Sequence, residues 1–184
     1  LAPVPASGSA TPVVSAAVTP TAAGEWQIQY TLTTASALYS MAIEIQATGA
    51  TSFVAITGSP FSIVCQVSTA AAVNTVISGA GATAAIAGDR TDFTVTLFDI
   101  GNNQRTGGGD QVDVKIEPTP TPGSGAISDV EVFDLLNGVY TVRYVIQSTA
   151  TPYTISVTVN ADSSNIKTSS LTVTSNVTSP AHSV

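Results

Sequence analysis

The chain has 184 residues, a net charge of −7 and only five Lys and Arg together. Its length suits one large or two small domains, and the shortage of cations excludes a basic patch, and with it nucleic acid and anionic membrane as partners. Charged residues make up 9%, against about 25% in an ordinary soluble protein, while Ser and Thr abound.

Residues 1–12, with Pro3, Pro5 and Pro12, read as an extended or polyproline-like linker. A strand is expected over 13–18 and another over 26–33, where Trp26, Ile28, Tyr30 and Leu32 alternate with polar residues. Tyr39, Met41, Ile43 and Ile45 alternate as cleanly. After a turn over 47–52, residues 53–67 carry a last strand, broken at Gly58-Ser59-Pro60 because Pro has no N–H for a ladder. Residues 68–75 are the expected junction, and a second module starts at Val76. Its strands are expected at 92–99, with Phe93, Val95 and Leu97 on one face, around Val112, Val114 and Ile116, and at 130–134 and 139–144. Two more follow, at Tyr153, Ile155, Val157 and Val159, and around Leu171-Thr172-Val173. Asn137-Gly138 is a tight-turn signal, since both residues tolerate positive φ, so 130–144 forms a hairpin. Trp26, Tyr30, Tyr140 and Tyr144 are expected in the core, each on one face of a strand pair. No segment holds a helical period over ten residues, and short strands between Gly and Pro loops point to an all-β sandwich.

The two halves repeat. Tyr144 and Tyr30 are 114 apart, as are Tyr153 and Tyr39, and Ile155, Val157 and Val159 then fall on Met41, Ile43 and Ile45. The last strand pairs Ser169, Leu171 and Val173 with Ser59, Phe61 and Ile63 at an offset of 110. The organisation is thus an incomplete module over 1–67, a junction over 68–75, a complete module over 76–178 and a tail over 179–184. About three N-terminal strands of the first module have no counterpart. A half-sandwich exposes its apolar face and its strand edges, so partner strands are expected from a neighbouring chain or another part of the same chain. Leu1, without an initiator Met or a signal peptide, reads as a processed start or as an edge within a longer chain.

The order of motifs resembles the filamin-type immunoglobulin-like repeat. It is carried by Ala87-Gly88 before Phe93-Thr94-Val95, by Asp99 with Gly101-Asn102, and by Gly107-Gly108-Gly109. It continues through Val130-Glu131-Val132, Asn137-Gly138-Val139-Tyr140-Thr141-Val142-Arg143-Tyr144 and Tyr153-Thr154-Ile155-Ser156-Val157, with Ile56-Thr57-Gly58-Ser59-Pro60-Phe61-Ser62-Ile63 closing the first module. Lys167-Thr168-Ser169-Ser170-Leu171 departs from that closing pattern. The resemblance implies tandem immunoglobulin-like β-sandwiches used as spacer, self-association unit or peptide-binding module. It also implies a partner edge beside the third and fourth strands, with Gln111, Asp113, Lys115, Val130 and Val132.

No nucleophile–base or metal constellation suggests an enzyme, and no cofactor is expected. Asp89, Asp92, Asp99, Asp110 and Asp113 crowd one stretch, but their spacing fits no calcium loop and Asp is a common turn residue. His182, the one histidine, lies in a polar tail. Cys65, the one cysteine, sits in an apolar run and is expected to pack as a small core hydrophobe. No apolar run is long enough to cross a bilayer as a helix. Charge normally keeps surfaces apart. Covalent glycans are expected to do so here, at the acceptor triplet of Asn176 and on Pro118, Thr119, Pro120, Thr121 and Pro122. The expected protein is a structural subunit of an extracellular fibre or cell-surface stalk that self-associates into a homo-oligomer or filament. A peptide-binding or adhesion module of a larger scaffold is the alternative.

Overall fold

The structure is a computed structural model that describes residues 4–5, 15–35, 38–119, 127–149 and 152–175. The chain divides into two units, Leu1–Val67 and Ser68–Val184. Among the described residues the regular structure is β-strand, apart from two 3-10 turns.

In the first unit β1 (Val4–Pro5) is followed by the hairpin of β2 (Ser15–Ala22) and β3 (Glu25–Thr31). Then come β4 (Leu38–Met41), the short pair β5 (Glu44–Ile45) and β6 (Val54–Ala55), and β7 (Phe61–Val64). β1, β4 and β7 form one antiparallel sheet in that order. The strand expected from Tyr39 to Ile45 stops at Met41. Ile43 donates its N–H to Ser59 Oγ at 2.9 Å and accepts from the Ile56 N–H at 3.1 Å, which takes its backbone out of the β4–β7 ladder. Tyr39 is the one buried residue among the described residues of this unit. Its hydroxyl donates to the Thr34 carbonyl at 2.7 Å. Trp26 is 65% exposed and Tyr30 43%, so these two do not fill a core as their alternation suggested. The reason is topological. β3 pairs with β2 alone, and among the described residues no strand lies along its other edge. Cys65 is likewise only partly buried.

The second unit contains β8 (Val76–Ser78), β9 (Ala84–Ile86), β10 (Arg90–Thr96) and β11 (Val112–Pro118). β12 (Ile127–Asp134), β13 (Val139–Ile146), β14 (Tyr153–Val159) and β15 (Lys167–Thr174) complete it. Two four-stranded sheets, ordered β12–β13–β10–β8 and β11–β14–β15–β9, make an immunoglobulin-like sandwich. Period-two alternation puts Phe93, Val95, Leu97, Tyr140, Val142, Tyr144 and Ile146 on one inner face. Tyr153, Ile155, Val157, Val159 and Leu171 stand on the other, and none of these twelve is more than 2% exposed. Burying each such side chain contributes about 1.5–3 kcal/mol, so the unit has a core of its own. The expected junction over 68–75 belongs to this unit: Ala72 and Thr75 are buried, and the Ala71 N–H donates to the Phe98 carbonyl at 2.8 Å.

The first strand of the sandwich is split, which alternation over so few residues did not reveal. β8 pairs antiparallel with β10, and the chain then crosses through the 3-10 turn Ala80–Ala82 to pair parallel with β15 as β9. Gly81 permits the crossing, because a Cβ there would stand 2.2 Å from the Asp92 carbonyl oxygen. The Tyr144 hydroxyl closes it, donating to the Gly81 carbonyl at 2.5 Å. Burial, helped by the charge of Asp92, pushes that phenol up to about 12, so it remains a donor. The β12–β13 turn also differs from expectation. Positive φ falls on Leu136 (61°) and Gly138 (77°), not on Asn137. Asn137 acts through its side chain, whose Oδ1 accepts the Val139 N–H at 3.1 Å. Gly138 has no room for a Cβ, which would stand 2.2 Å from the Arg105 carbonyl oxygen.

The repeat extends to pairing register. In the second unit Val132 lies opposite Val142 and Asp134 opposite Tyr140; in the first, Val18 lies opposite Ile28 and Pro20 opposite Trp26, each pair 114 lower. Pro118 faces Tyr153 as Pro5 faces Tyr39. The Tyr153 hydroxyl reaches back five residues to the Ser148 carbonyl at 2.9 Å, as Tyr39 does to Thr34. One offset needs correction. Tyr153 faces Leu171 and Tyr39 faces Ile63, so the last strands are related by 108, not 110. The ladder partner, rather than motif similarity across the Gly58-Ser59-Pro60 loop, sets the register. On this alignment the first unit contains counterparts of β12, β13, β15 and the start of β14, and only the end of β11. Among its described residues nothing corresponds to β8, β9 or β10.

Candidate functional site

β11 and β12 are the edge strands of their sheets on one flank of the second unit. Among the described residues each pairs on one side only, β11 with β14 and β12 with β13, and they approach each other across the flank. Such edges present unpaired main-chain groups that can accept an added strand. Val132 lies opposite the buried Val142 and so faces inward, while Val130 sits in the stretch between Ser128 and Glu131 where the register shifts. Val132 and Val130 are 37% and 36% exposed. Val112 and Val114 of β11 are partly buried against the core. The four valines give the flank an apolar strip between two free edges. Val112 and Val114 were missed as part of it, although their alternation with Asp113 and Lys115 was the signal. Asp113 and Lys115 stand opposite Thr158 and Ser156 on the outer face. Gln111 donates its N–H to Asn160 Oδ1 at 3.0 Å and its side-chain amide to Asp113 Oδ2 at 2.8 Å. A bulge at Asp129, with φ of 60°, breaks the β12 register between Ser128 and Glu131. It confines a regular edge to the following residues.

The five aspartates of the sequence pattern are not brought together, and among the described residues no three His, Cys, Asp or Glu side chains cluster. Asp99 is 3% exposed. Its Oδ2 accepts the Ser68 N–H at 3.1 Å and its Oδ1 accepts the Asn103 N–H at 2.9 Å, with the Asn103 amide donating to both oxygens. Burial pushes this carboxyl up, but the hydrogen bonds from Asn103, Ser68 and Gly101 outweigh it and hold the group below the usual range. Asp110 is paired with Arg105 at 2.9 Å. Asp134 accepts the Gly109 N–H at 2.7 Å and the Leu136 N–H at 2.7 Å. Burial raises its pKa, and these bonds bring it below the usual range. These three carboxylates staple loops together.

The free edge of β3 is the other candidate surface. Trp26, Ile28 and Tyr30 are the counterparts of Tyr140, Val142 and Tyr144, which are at most 2% exposed. Of the proposed sugar-bearing residues, Thr119 is exposed, with its hydroxyl 2.7 Å from that of Thr154. Pro118 is buried opposite Tyr153, so a glycan there is incompatible with the folded unit. Pro120, Thr121, Pro122, Asn176 and His182 lie outside the described residues.

The Asp99 staple sets a pH dependence. Its folded pKa lies below the unfolded value of about 3.9, so its contribution is present above that value and lost as pH falls through the folded one. The unfolding free energy of the second unit, measured by urea titration, is expected to decline below about pH 4. At neutral pH, Asp99→Ala is expected to cost about 1–3 kcal/mol, because the Ser68 and Asn103 N–H groups lose their acceptor. An Asp99→Ala variant as stable as the parent would refute the staple.

No curated protein matches the chain. Among solved structures, the crystal structure of the Lin-41 filamin domain is similar to it at 23% identity and a TM-score of 0.38, over 56% of this chain and 97% of that one. The family described as Filamin/ABP280 repeat matches residues 69–172, which is more than half of the 184. That span contains all eight strands of the sandwich but for the last two residues of β15, and the chain belongs to the filamin repeat family.

Proposed function

We propose that the chain is a non-catalytic structural segment of an extracellular fibre or cell-surface stalk. The second unit serves as a self-sufficient spacer, and the first assembles by accepting strands from a neighbouring chain. The observation that carries this is the contrast between counterparts. Tyr140, Val142 and Tyr144 are buried, whereas Trp26 and Tyr30 are 65% and 43% exposed and Ile28 is only partly buried. Exposed aromatic and aliphatic side chains of this number are costly in water. Val18, Leu38, Ile45, Phe53, Val54 and Val64 of the same unit are each more than 45% exposed as well. Strand donation supplies main-chain hydrogen bonds and an apolar cover in one step.

Size in solution tests this. Light scattering across nanomolar to micromolar concentration is expected to show mass rising with concentration, while a chain that stays monomeric with its first unit fully folded would sink the proposal. The extracellular placement rests on the low charge and hydroxyl-rich composition, with sugars on Thr119 and Asn176 keeping surfaces apart. Material from the native source is expected to weigh more than the bare polypeptide by intact mass, and a mass equal to it would remove this part.

A second reading, a peptide-binding module of a scaffold, is favoured by the inward yet exposed Val132, with the exposed Val130 near it, beside two free edges. On that reading an extended peptide captured by the second unit is released by Val132→Asp, with affinity falling by about tenfold or more for one lost apolar contact and a new buried charge. Unchanged capture by the variant would exclude the β12 edge.

A further inference from the structure

The second unit supplies a template for what the first one accepts. β10 lies along β13 with Val95 opposite Tyr140, Phe93 opposite Val142 and Thr91 opposite Tyr144. Lowering the β13 numbers by 114 gives Trp26 and Tyr30, which are exposed on β3, and Ile28, which is partly buried there. The Tyr144 hydroxyl donates to a main-chain carbonyl in the Ala80–Ala82 crossing, so the Tyr30 hydroxyl stands where an equivalent crossing would pass. On the other sheet Val173 lies opposite Ala85 of β9. Its counterpart at the offset of 108 is Cys65, which is only partly buried.

Resting on the strand-acceptor reading above, we propose that the free edge of β3, with the far edge of β7, is a docking site for one kind of partner. That partner is an unpaired segment of a neighbouring chain with the pattern of residues 76–97. It runs antiparallel to β3, sets bulky apolar side chains opposite Trp26 and Ile28, and carries a small-residue crossing that meets the Tyr30 hydroxyl and continues parallel to β7. The folded second unit of another copy does not qualify. Its Phe93, Val95 and Leu97 are at most 1% exposed, and surrendering them would open one core to close another. The donor is therefore a segment that presents such strands without their sandwich.

The chain contains its own reporters, one Trp and one Cys, placed on the two edges concerned. The probe is a synthetic peptide of residues 76–97 added to the 184-residue chain. Saturable binding is expected, with a blue shift of Trp26 emission, loss of acrylamide quenching and slower alkylation of Cys65. A control peptide with Phe93→Ser, Val95→Ser and Leu97→Ser is expected to bind about a hundredfold more weakly or worse, since three buried apolar side chains are lost. Tyr30→Lys, at an exposed position, is expected to abolish the Trp26 shift while leaving urea unfolding of the second unit unchanged. A Trp26 that stays equally quenchable at saturating peptide, or equal binding of the control, overturns the proposal. Concentration-dependent assembly of the chain with Trp26 still exposed would overturn this site and leave the assembly reading standing.

Discussion

A strand with aromatic residues on one face needs neighbours on two sides, a strand along each edge to pair its main chain and a second sheet to cover its side chains. β13 has both. β10 and β12 flank it, and Tyr153, Ile155, Val157 and Leu171 stand on the facing sheet. With these in place Tyr140, Val142 and Tyr144 vanish from the surface, and the polar tips of both tyrosines still find main-chain carbonyls, at Asp110 and Gly81. β3 has the same alternation and an equivalent hairpin partner, but among the described residues one edge is bare. The two units thus compare nearly the same strand with and without its β10, and the difference in burial shows how much of an immunoglobulin-like core is supplied by sequence-distant strands.

Much of this was legible in the sequence because a strand announces its inner face by a period of two. The repeat, the hairpins and the inner rows of β10, β13 and β14 could all be read that way. What alternation does not encode is whether a face is covered. Trp26-Gln27-Ile28-Gln29-Tyr30 reads like a core strand, and only topology reveals that two of its three large side chains are largely exposed. β9 escaped notice because three residues of Ala and Ile within an Ala- and Gly-rich stretch have no period to detect. The turn after β12 was misplaced by one residue, since Asx capping by Asn137 and positive φ at Leu136 leave the same Asn-Gly signature.

For the candidate edge, the residue types were found and the grouping was not. Asp113 and Lys115 lie on β11 but point to the outer face, whereas the apolar strip is made by the residues between and beside them. The aspartates show the opposite case, a cluster in sequence that disperses in space. Asp99 turns inward to hold Ser68 and Asn103, Asp110 pairs with Arg105 and Asp113 meets Gln111. Each of these three accepts from a protein donor, while Asp89 and Asp92 are exposed.

The parallel pairing of β9 with β15 bears on mechanics. These strands lie near the two ends of the second unit, side by side and running the same way, with Ala84, Ala85 and Ile86 opposite Thr172, Val173 and Thr174. Tension pulling the two ends of the unit apart would slide β9 and β15 along each other. Their hydrogen bonds, including those from Thr172 to Thr83 and from Ala87 to Thr174 at 2.9 and 2.8 Å, would then bear the load together instead of opening one after another like a zip. β8, bonded to β10 in the opposite sheet, anchors the same segment a second time. A split first strand thereby ties the start of the unit into both of its sheets.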